Sequence, residues 1–500
     1  MEPLITKGFY PASDDANCKS LEVFYCAEDY LERILKEKIM FDLKQLRKPG
    51  IVEALVITAI ILFMLGFPII TIEGVSAHIP VLVSIIFLLI YGLFRKVKFS
   101  DMQESMVQSV STSMGAVYLF FFIGILISAL MMSGSIPTLI FYGLNIVSAK
   151  TFYLSAFCIT AIIGISIGSS LTTVATLGVA LMGLSGVFDL NPAITAGAVV
   201  SGAFFGDKMS PLSDTTGISA SIVGIDLFDH IKNMMYTTVP AFIISGVFFT
   251  VMSPWNSNGD VSAIDAFKKS LLSTDLVHGY ALIPFVLLIV LSIFKLPAIV
   301  SMIIVSALSL VIAQFNTGYS LGEIANILYS GFSKEGVPEN IASLINRGGI
   351  NSMFFTITIV ILALSLGGLL FGLGIIPTIL ENIAHLLNTR FKATLAVATT
   401  ALGVNFIVGE QYLSILLAGK TFRPIYDKLG LHQKNLSRAL EDSGTVINPL
   451  VPWSVCGVFI SNMLGVPTVQ YAVFSIFCYS CIVLTVLSGL FGKKGTAEAK

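Results

Sequence analysis

The sequence predicts an all-α polytopic membrane protein built as two inverted repeats of about five spans each, with re-entrant hairpins and broken helices. Three observations carry that prediction. Hydrophobic residues make up 55% of the 500 and charged residues only 12%, against about 25% charged in ordinary soluble domains. Many apolar runs reach the ~20 residues that cross a bilayer. Short motifs also recur in order, at a spacing near 240 residues. With a net charge of −1, this composition excludes a soluble enzyme and a nucleic-acid binder.

In chain order, Met1–Gly50 reads as a polar cytoplasmic extension, with no cleavable signal peptide and Ile51–Ile70 as an uncleaved anchor. Leu21, Phe24, Leu31 and Leu35 follow helical spacing there. That pattern fits a regulatory or partner-binding amphipathic helix. The preferred reading is a dispensable extension, or a start at Met40 just before the first span. Residues 51–252 form the first membrane repeat, 253–275 an external linker, 276–491 the second repeat and 492–500 a cytoplasmic tail. The spans expected are Ile51–Ile70, Ile79–Phe94, Met114–Met132, Met234–Met252, Leu276–Phe294, Leu296–Phe315, Ile350–Phe371 and Val469–Phe491. Six scattered cysteines and five dispersed histidines offer no metal-ligand spacing, and Cys478 and Cys481 read as small apolar packing.

The duplication is seen in Gly134-Ser135-Ile136-Pro137-Thr138, which matches Gly374-Ile375-Ile376-Pro377-Thr378 at an offset of 240. Gly168-Ser169-Ser170 matches Gly409-Glu410-Gln411 at 241, and Ser210-Pro211-Leu212 matches Asn448-Pro449-Leu450 at 238. Each half reads as three spans, a short interfacial piece, a hairpin, a broken helix and a last span. The hairpins are expected over 151–188 and 392–420, with tips near 164–173 and 405–413. Hairpins that do not cross leave five crossings per half, and an odd number inverts the second half. With the N-terminus inside, 23 of the 29 Lys/Arg face the cytoplasm, five face outward and Lys208 lies at bilayer depth, as positive-inside topology demands. The same sidedness follows if each hairpin is two true spans.

The richest chemistry lies in Gly206-Asp207-Lys208-Met209-Ser210-Pro211-Leu212-Ser213-Asp214-Thr215-Thr216. A charge at bilayer depth costs at least ~2.5–3.5 kcal/mol, so such groups mark function. Pro211 removes a donor and pushes Ser210 from helical geometry, breaking the helix beside the charges. Upstream, Ala193, Gly197 and Ser201, and then Gly202 and Gly206, recur every four residues and allow close helix packing. Oxygen ligands for a hard cation occur at matching places in both halves. The first supplies Ser169, Ser170, Thr172 and Thr173 at its hairpin tip, then Asp207, Ser210, Ser213, Asp214, Thr215 and Thr216. The second supplies Asn405, Glu410, Gln411 and Ser414, then Glu441, Asp442, Ser443, Thr445 and Asn448, with Pro449 as its helix breaker.

Desolvation favours the protonated form of such a carboxylate, and a bound Na⁺ favours the ionised form. Competition of the two cations at one carboxylate suffices for exchange. Asp207 is the first choice for that carboxylate, and Glu410 and Asp214 follow, so Na⁺ is assigned to Asp207, Asp214 and Glu410. Plainer readings stand beside these. Lys208 pairs with Asp207 or Asp214 in a structural ion pair; Glu441 and Asp442 are solvated at the cytoplasmic interface; the Ser169–Thr173 hydroxyls bond back to their own helix. His278 and Glu53 read as interfacial. An intramembrane hydrolase lacks its dyad, because no histidine accompanies Ser169, Ser170 or Ser210. A passive channel needs no duplicated gates, and a scaffold that had lost transport would have the N-terminal helix as its best clue.

The Gly206–Thr216 run, with Gly409-Glu410-Gln411-Tyr412, Glu441-Asp442-Ser443-Gly444-Thr445 and Asn448-Pro449-Leu450-Val451-Pro452-Trp453, resembles the NhaC-type sodium/proton antiporters. The similarity covers roughly Lys48 to Phe491; Glu410 departs from the family's usual aspartate, and the N-terminal extension lies outside the pattern. The resemblance implies secondary active Na⁺/H⁺ antiport in a bacterial plasma membrane, on the ion-transporter-superfamily fold, with no cofactor and no enzymatic activity. The family also includes malate/lactate antiporters, which makes carboxylate-coupled exchange the alternative. No arginine near the site clamps a carboxylate bidentately, although Lys208 and broken-helix N-termini offer an anion some purchase. Li⁺ is a further candidate ion, and a homo-oligomer is left open.

Overall fold

The computed structural model describes residues 45–491, apart from 73–74, 113, 256–260, 295, 339–340, 343–344 and 385–388. The helix expected over 21–35, Cys18, Cys26 and the tail 492–500 lie outside the described residues. The fold is all-α and polytopic, with no strand among the described residues. Among the described residues, seven helices are long and apolar enough to cross a membrane, or up to ten if each of three bent pairs is one span.

The first half begins with α1 (Ile51–Thr71) and α2 (His78–Phe94). Ala54, Ile57, Ile61 and Leu65 form the buried stripe of α1, at the three- and four-residue spacing of one helix face. Arg47 (2.9 Å) and Arg95 (2.5 Å) pair with Glu53 at its start, with the Tyr91 hydroxyl donating at 2.6 Å. Glu53 is thus tied into an ion cluster at a span end, in keeping with an interfacial role. α3 (Phe99–Thr112), an amphipathic helix that the span search of the sequence passed over, packs along a later span. α4 (Met114–Met132) bends 66° into α5 (Ser135–Ile146), and Gly134 at the bend has φ 76°.

The first hairpin is α6 (Phe152–Ile167) and α7 (Ser170–Val187), the latter with a π turn at Val174–Gly178. Gly168, with φ 68°, turns the tip, a conformation that favours glycine. α8 (Pro192–Met209) opens on Pro192 with the Asn191 side chain as cap. After the break come α9 (Asp214–Val223) and α10 (Leu227–Met252). The small-residue stripe of α8 meets α6: a Cβ on Gly206 would lie 2.5 Å from the Gly164 backbone, and one on Gly202 2.3 Å from the Phe157 carbonyl.

The second half runs α11 (Val261–Leu272), α12 (Ile283–Ile293), α13 (Ala298–Thr317), α14 (Leu321–Ser330) and α15 (Ile350–Gly372). Gly374, with φ 74°, leads into α16 (Ile375–Ala384), matching Gly134 before α5. The second hairpin is α17 (Arg390–Val408) and α18 (Gln411–Lys428), turned at Gly409 with φ 76°. α19 (Gln433–Leu440), an irregular stretch over 441–454, α20 (Val455–Leu464) and α21 (Ile476–Phe491) follow. Both repeated glycines thus share a left-handed backbone with their partners. One expectation is corrected: Val469–Phe491 is not a straight span but is bent 59° between Thr468–Phe474 and Ile476–Leu490, where Ser475 interrupts the helix.

Candidate functional site

Ser210 is extended (φ −84°, ψ 131°) and ends α8, and the Ser213 hydroxyl accepts from the Thr216 N–H to start α9. Pro211 between them has no N–H to give, so the helix cannot run through. The break leaves Asp207 in the last turn of one half-helix and Asp214 in the first turn of the next. Asp207 is buried, and the Ser170 hydroxyl from the first hairpin tip donates to its Oδ2 at 2.7 Å. The first tip and the first break are therefore joined through Asp207.

Glu410, at the second tip, caps α18: the Leu413 N–H donates to its Oε2 at 2.6 Å, and the Tyr412 and Gln411 N–H groups also point at it. Glu410 and Asp214 line one small cavity of about 50 Å³, walled by Phe120, Leu171, Val360 and Val455. A water-sized occupant needs ~10–15 Å³, so the cavity has room for a cation with one or two waters.

A second cluster joins the two halves. A π turn at Glu441–Thr445 carries two carboxylates into the interior. The Thr215 hydroxyl donates to Glu441 Oε1 at 2.9 Å and the Ser219 hydroxyl to Oε2 at 2.5 Å. Lys208 forms its ion pair with Asp442, whose other oxygen accepts from the Thr237 hydroxyl at 2.8 Å and from the Thr485 hydroxyl. Lys208, Glu441 and Asp442 are all fully buried. Two of the plainer alternative readings are thereby changed. Lys208 pairs with Asp442 instead of with its neighbours Asp207 or Asp214. Glu441 and Asp442 are interior groups and not solvated interface residues.

The remaining oxygen donors mostly serve the backbone. The Ser169 hydroxyl accepts from the Thr172 hydroxyl at 3.0 Å, and the Thr173 hydroxyl donates to the Ser169 carbonyl at 2.8 Å, the local bonding typical of such residues. The Ser210 hydroxyl accepts from the Leu212 N–H at 3.2 Å. The Asn448 amide donates to Asn405 Oδ1 at 2.8 Å, and the Asn405 amide donates to the Gly444 carbonyl at 2.7 Å. The Pro449 carbonyl accepts from the Tyr471 hydroxyl at 2.7 Å. The Asn405 and Asn448 bonds clasp the second tip to the second break, as does the Val455 N–H on the Gly409 carbonyl at 2.9 Å. Ser219, Thr237 and Thr485 belong to the site but escaped the sequence reading. Single hydroxyls within apolar helices carry no spacing signal.

Buried carboxylates and hydroxyls on broken helices, inside a bundle of apolar spans, define an ion-coupled membrane transporter. The Na⁺/H⁺ antiporter family model matches residues 202–493, and the chain belongs to that family. It is 39% identical over 444 residues to the Na⁺/H⁺ antiporter NhaC of Alkalihalophilus pseudofirmus, covering 89% of this chain and 94% of the relative. It is 36% identical to NhaC of Bacillus subtilis, over 84% of this chain and 93% of the relative. The malate-2H⁺/Na⁺-lactate antiporter of Bacillus subtilis is 31% identical, over 90% and 97%.

Proposed function

We propose that this multi-pass membrane protein exchanges Na⁺ for H⁺, the two cations competing for Asp207 and for the Asp214–Glu410 cavity. The observation that carries the reading is the joint between the first hairpin tip and the first helix break, where the Ser170 hydroxyl holds Asp207. A site made by two separate elements opens or closes when either moves. With Na⁺ bound, the carboxylates are ionised and the hydroxyls turn their oxygens to the ion. With H⁺ bound, the same carboxylates are neutral and the hydroxyls serve only as partners. Only the occupied, charge-balanced site then reorients, which couples the two fluxes. Glu441, from the second half, and Thr215 and Ser219, from the first, form a related oxygen set between the halves, and Lys208–Asp442 holds the halves in register.

Loop charge supports termini in the cytoplasm and the Lys150 and Arg347 ends outside. Equal glycine turns at Gly134/Gly374 and Gly168/Gly409 support duplicated halves, and tips that meet breaks support hairpins that stop short of crossing. Relatives from bacteria support a bacterial plasma membrane. Carboxylate-coupled exchange, the second reading, is favoured by the malate/lactate relative; Lys208 is already committed to Asp442 and does not help it. The deciding measurement is ΔpH dissipation in proteoliposomes on adding Na⁺, with and without malate or lactate. Proton movement with Na⁺ alone is the expected result. Movement that requires the organic acids would replace simple exchange with the second reading.

A further inference from the structure

A second, larger cavity of about 410 Å³ lies toward the Arg347 end of the bundle. Ile127, Val179, Ser352 and Asn462 line it. These residues come from α4, α7, α15 and α20, the same four elements that supply Phe120, Leu171, Val360 and Val455 to the carboxylate cavity. On each element the two lining positions are seven or eight residues apart, or ~11 Å at 1.5 Å per residue. On each, one residue at three- or four-residue spacing falls between them on the same face: Ile123, Ala175, Thr356 and Phe459. All four are fully buried. The Phe459 ring packs 5.2 Å from that of Phe120.

Two further observations bear on this layer. Among the described residues the Thr356 hydroxyl has no hydrogen-bond partner, although buried polar groups almost always find one. Ala175 lies in the π turn of α7, an irregularity that recurs at functional sites. At the rim, Arg347 donates to the Met463 carbonyl at 2.8 Å, tying the loop before α15 to the end of α20.

We infer that the 410 Å³ cavity is the outer mouth of the cation route, and that Ile123, Ala175, Thr356 and Phe459 form its outer gate, closed in this structure. This rests on the proposed sidedness and cation exchange. The gate is one layer of side chains thick. Three of its members are apolar and exclude water, while the Thr356 oxygen is the single polar stepping point between mouth and carboxylates. Turning Phe459 aside connects the two cavities without unpacking the bundle.

The test uses the full chain with its own cysteines replaced. Asn462→Cys, at the mouth, is treated with a membrane-impermeant cationic thiosulfonate. Modification from the outer face with at least a tenfold fall in Na⁺-driven proton flux, relative to the same variant untreated, is expected. Full modification with unchanged flux, or modification from the cytoplasmic face alone, would overturn the inference. A second arm does not depend on exchange, so it separates this inference from the proposed function. Val455→Cys, below the layer, should resist external Ag⁺ and react at least tenfold faster once Phe459 is replaced by Ala or, if that variant does not fold, by Leu. Equal rates with and without Phe459 would remove the gate. Absence of Na⁺/H⁺ exchange in the untreated chain, with the Ag⁺ result intact, would sink the function and leave the gate standing.

Discussion

At the scale of single residues, the two carboxylates of the first break differ in what surrounds them. Asp207 is held by the Ser170 hydroxyl of the first hairpin tip, whereas Asp214 faces a cavity it shares with Glu410. Asp207→Asn keeps the shape and the Ser170 contact but loses the charge. It should reduce coupled exchange at least 100-fold while the protein still inserts and elutes as a folded species. Retained exchange in reconstituted vesicles would remove Asp207 from the mechanism. Lys208 and Asp442 call for a different test. Cutting one partner of a buried pair leaves an uncompensated charge, worth about 3–5 kcal/mol, whereas replacing both with apolar residues is often tolerated. Asp442→Asn should therefore lower the thermal midpoint more than the double variant Lys208→Met/Asp442→Leu. If the double variant is the less stable, the pair is not a structural register.

At the scale of elements, α6 and α8 approach through glycine. The Cβ of an added side chain at Gly206 would enter the Gly164 backbone, and neither helix can yield without moving the hairpin tip that holds Asp207. Overpacking of this kind costs typically 1–3 kcal/mol. Gly206→Val should lose both folded yield and exchange, and Gly217→Ala, which meets nothing within 4 Å, should lose neither. Equal yields of the two variants would refute a close α6–α8 contact. The stripe itself was legible in sequence, because its four-residue recurrence needs no knowledge of the partner. The partner was not legible, since any helix with a complementary surface satisfies the same pattern. The irregular 441–454 stretch was read as a break from Pro449 alone, and its π turn at Glu441–Thr445 had no sequence signal.

For the whole molecule, a bound ion that selects the folded, closed arrangement stabilises it by mass action, about 2.7 kcal/mol at a hundredfold excess over its dissociation constant. Na⁺ should raise the thermal midpoint of the detergent-solubilised protein above that in an equal concentration of choline chloride, and the Asp207→Asn variant should lose that increment. An equal shift for both proteins would place the ion elsewhere. Buried polar contacts tie the halves together, through Lys208 with Asp442 and Thr215 and Ser219 with Glu441. Each half alone would leave one buried charge without its counterpart, so the halves are expected to fold only together.

By itself the sequence determined the class of fold, the break at Pro211, the paired motifs and the family. Bilayer thickness, proline chemistry and motif spacing are local constraints, readable along the chain. Tertiary structure alone decided which charges face one another. It took Lys208 away from its chain neighbours and gave it to Asp442, 234 residues on. It drew Ser219, Thr237 and Thr485 into the site and turned Asn405 and Asn448 into a backbone clasp. The physical reason is that a buried charge takes whichever partner the packed helices bring within reach, and that reach is set by the fold and not by distance along the chain.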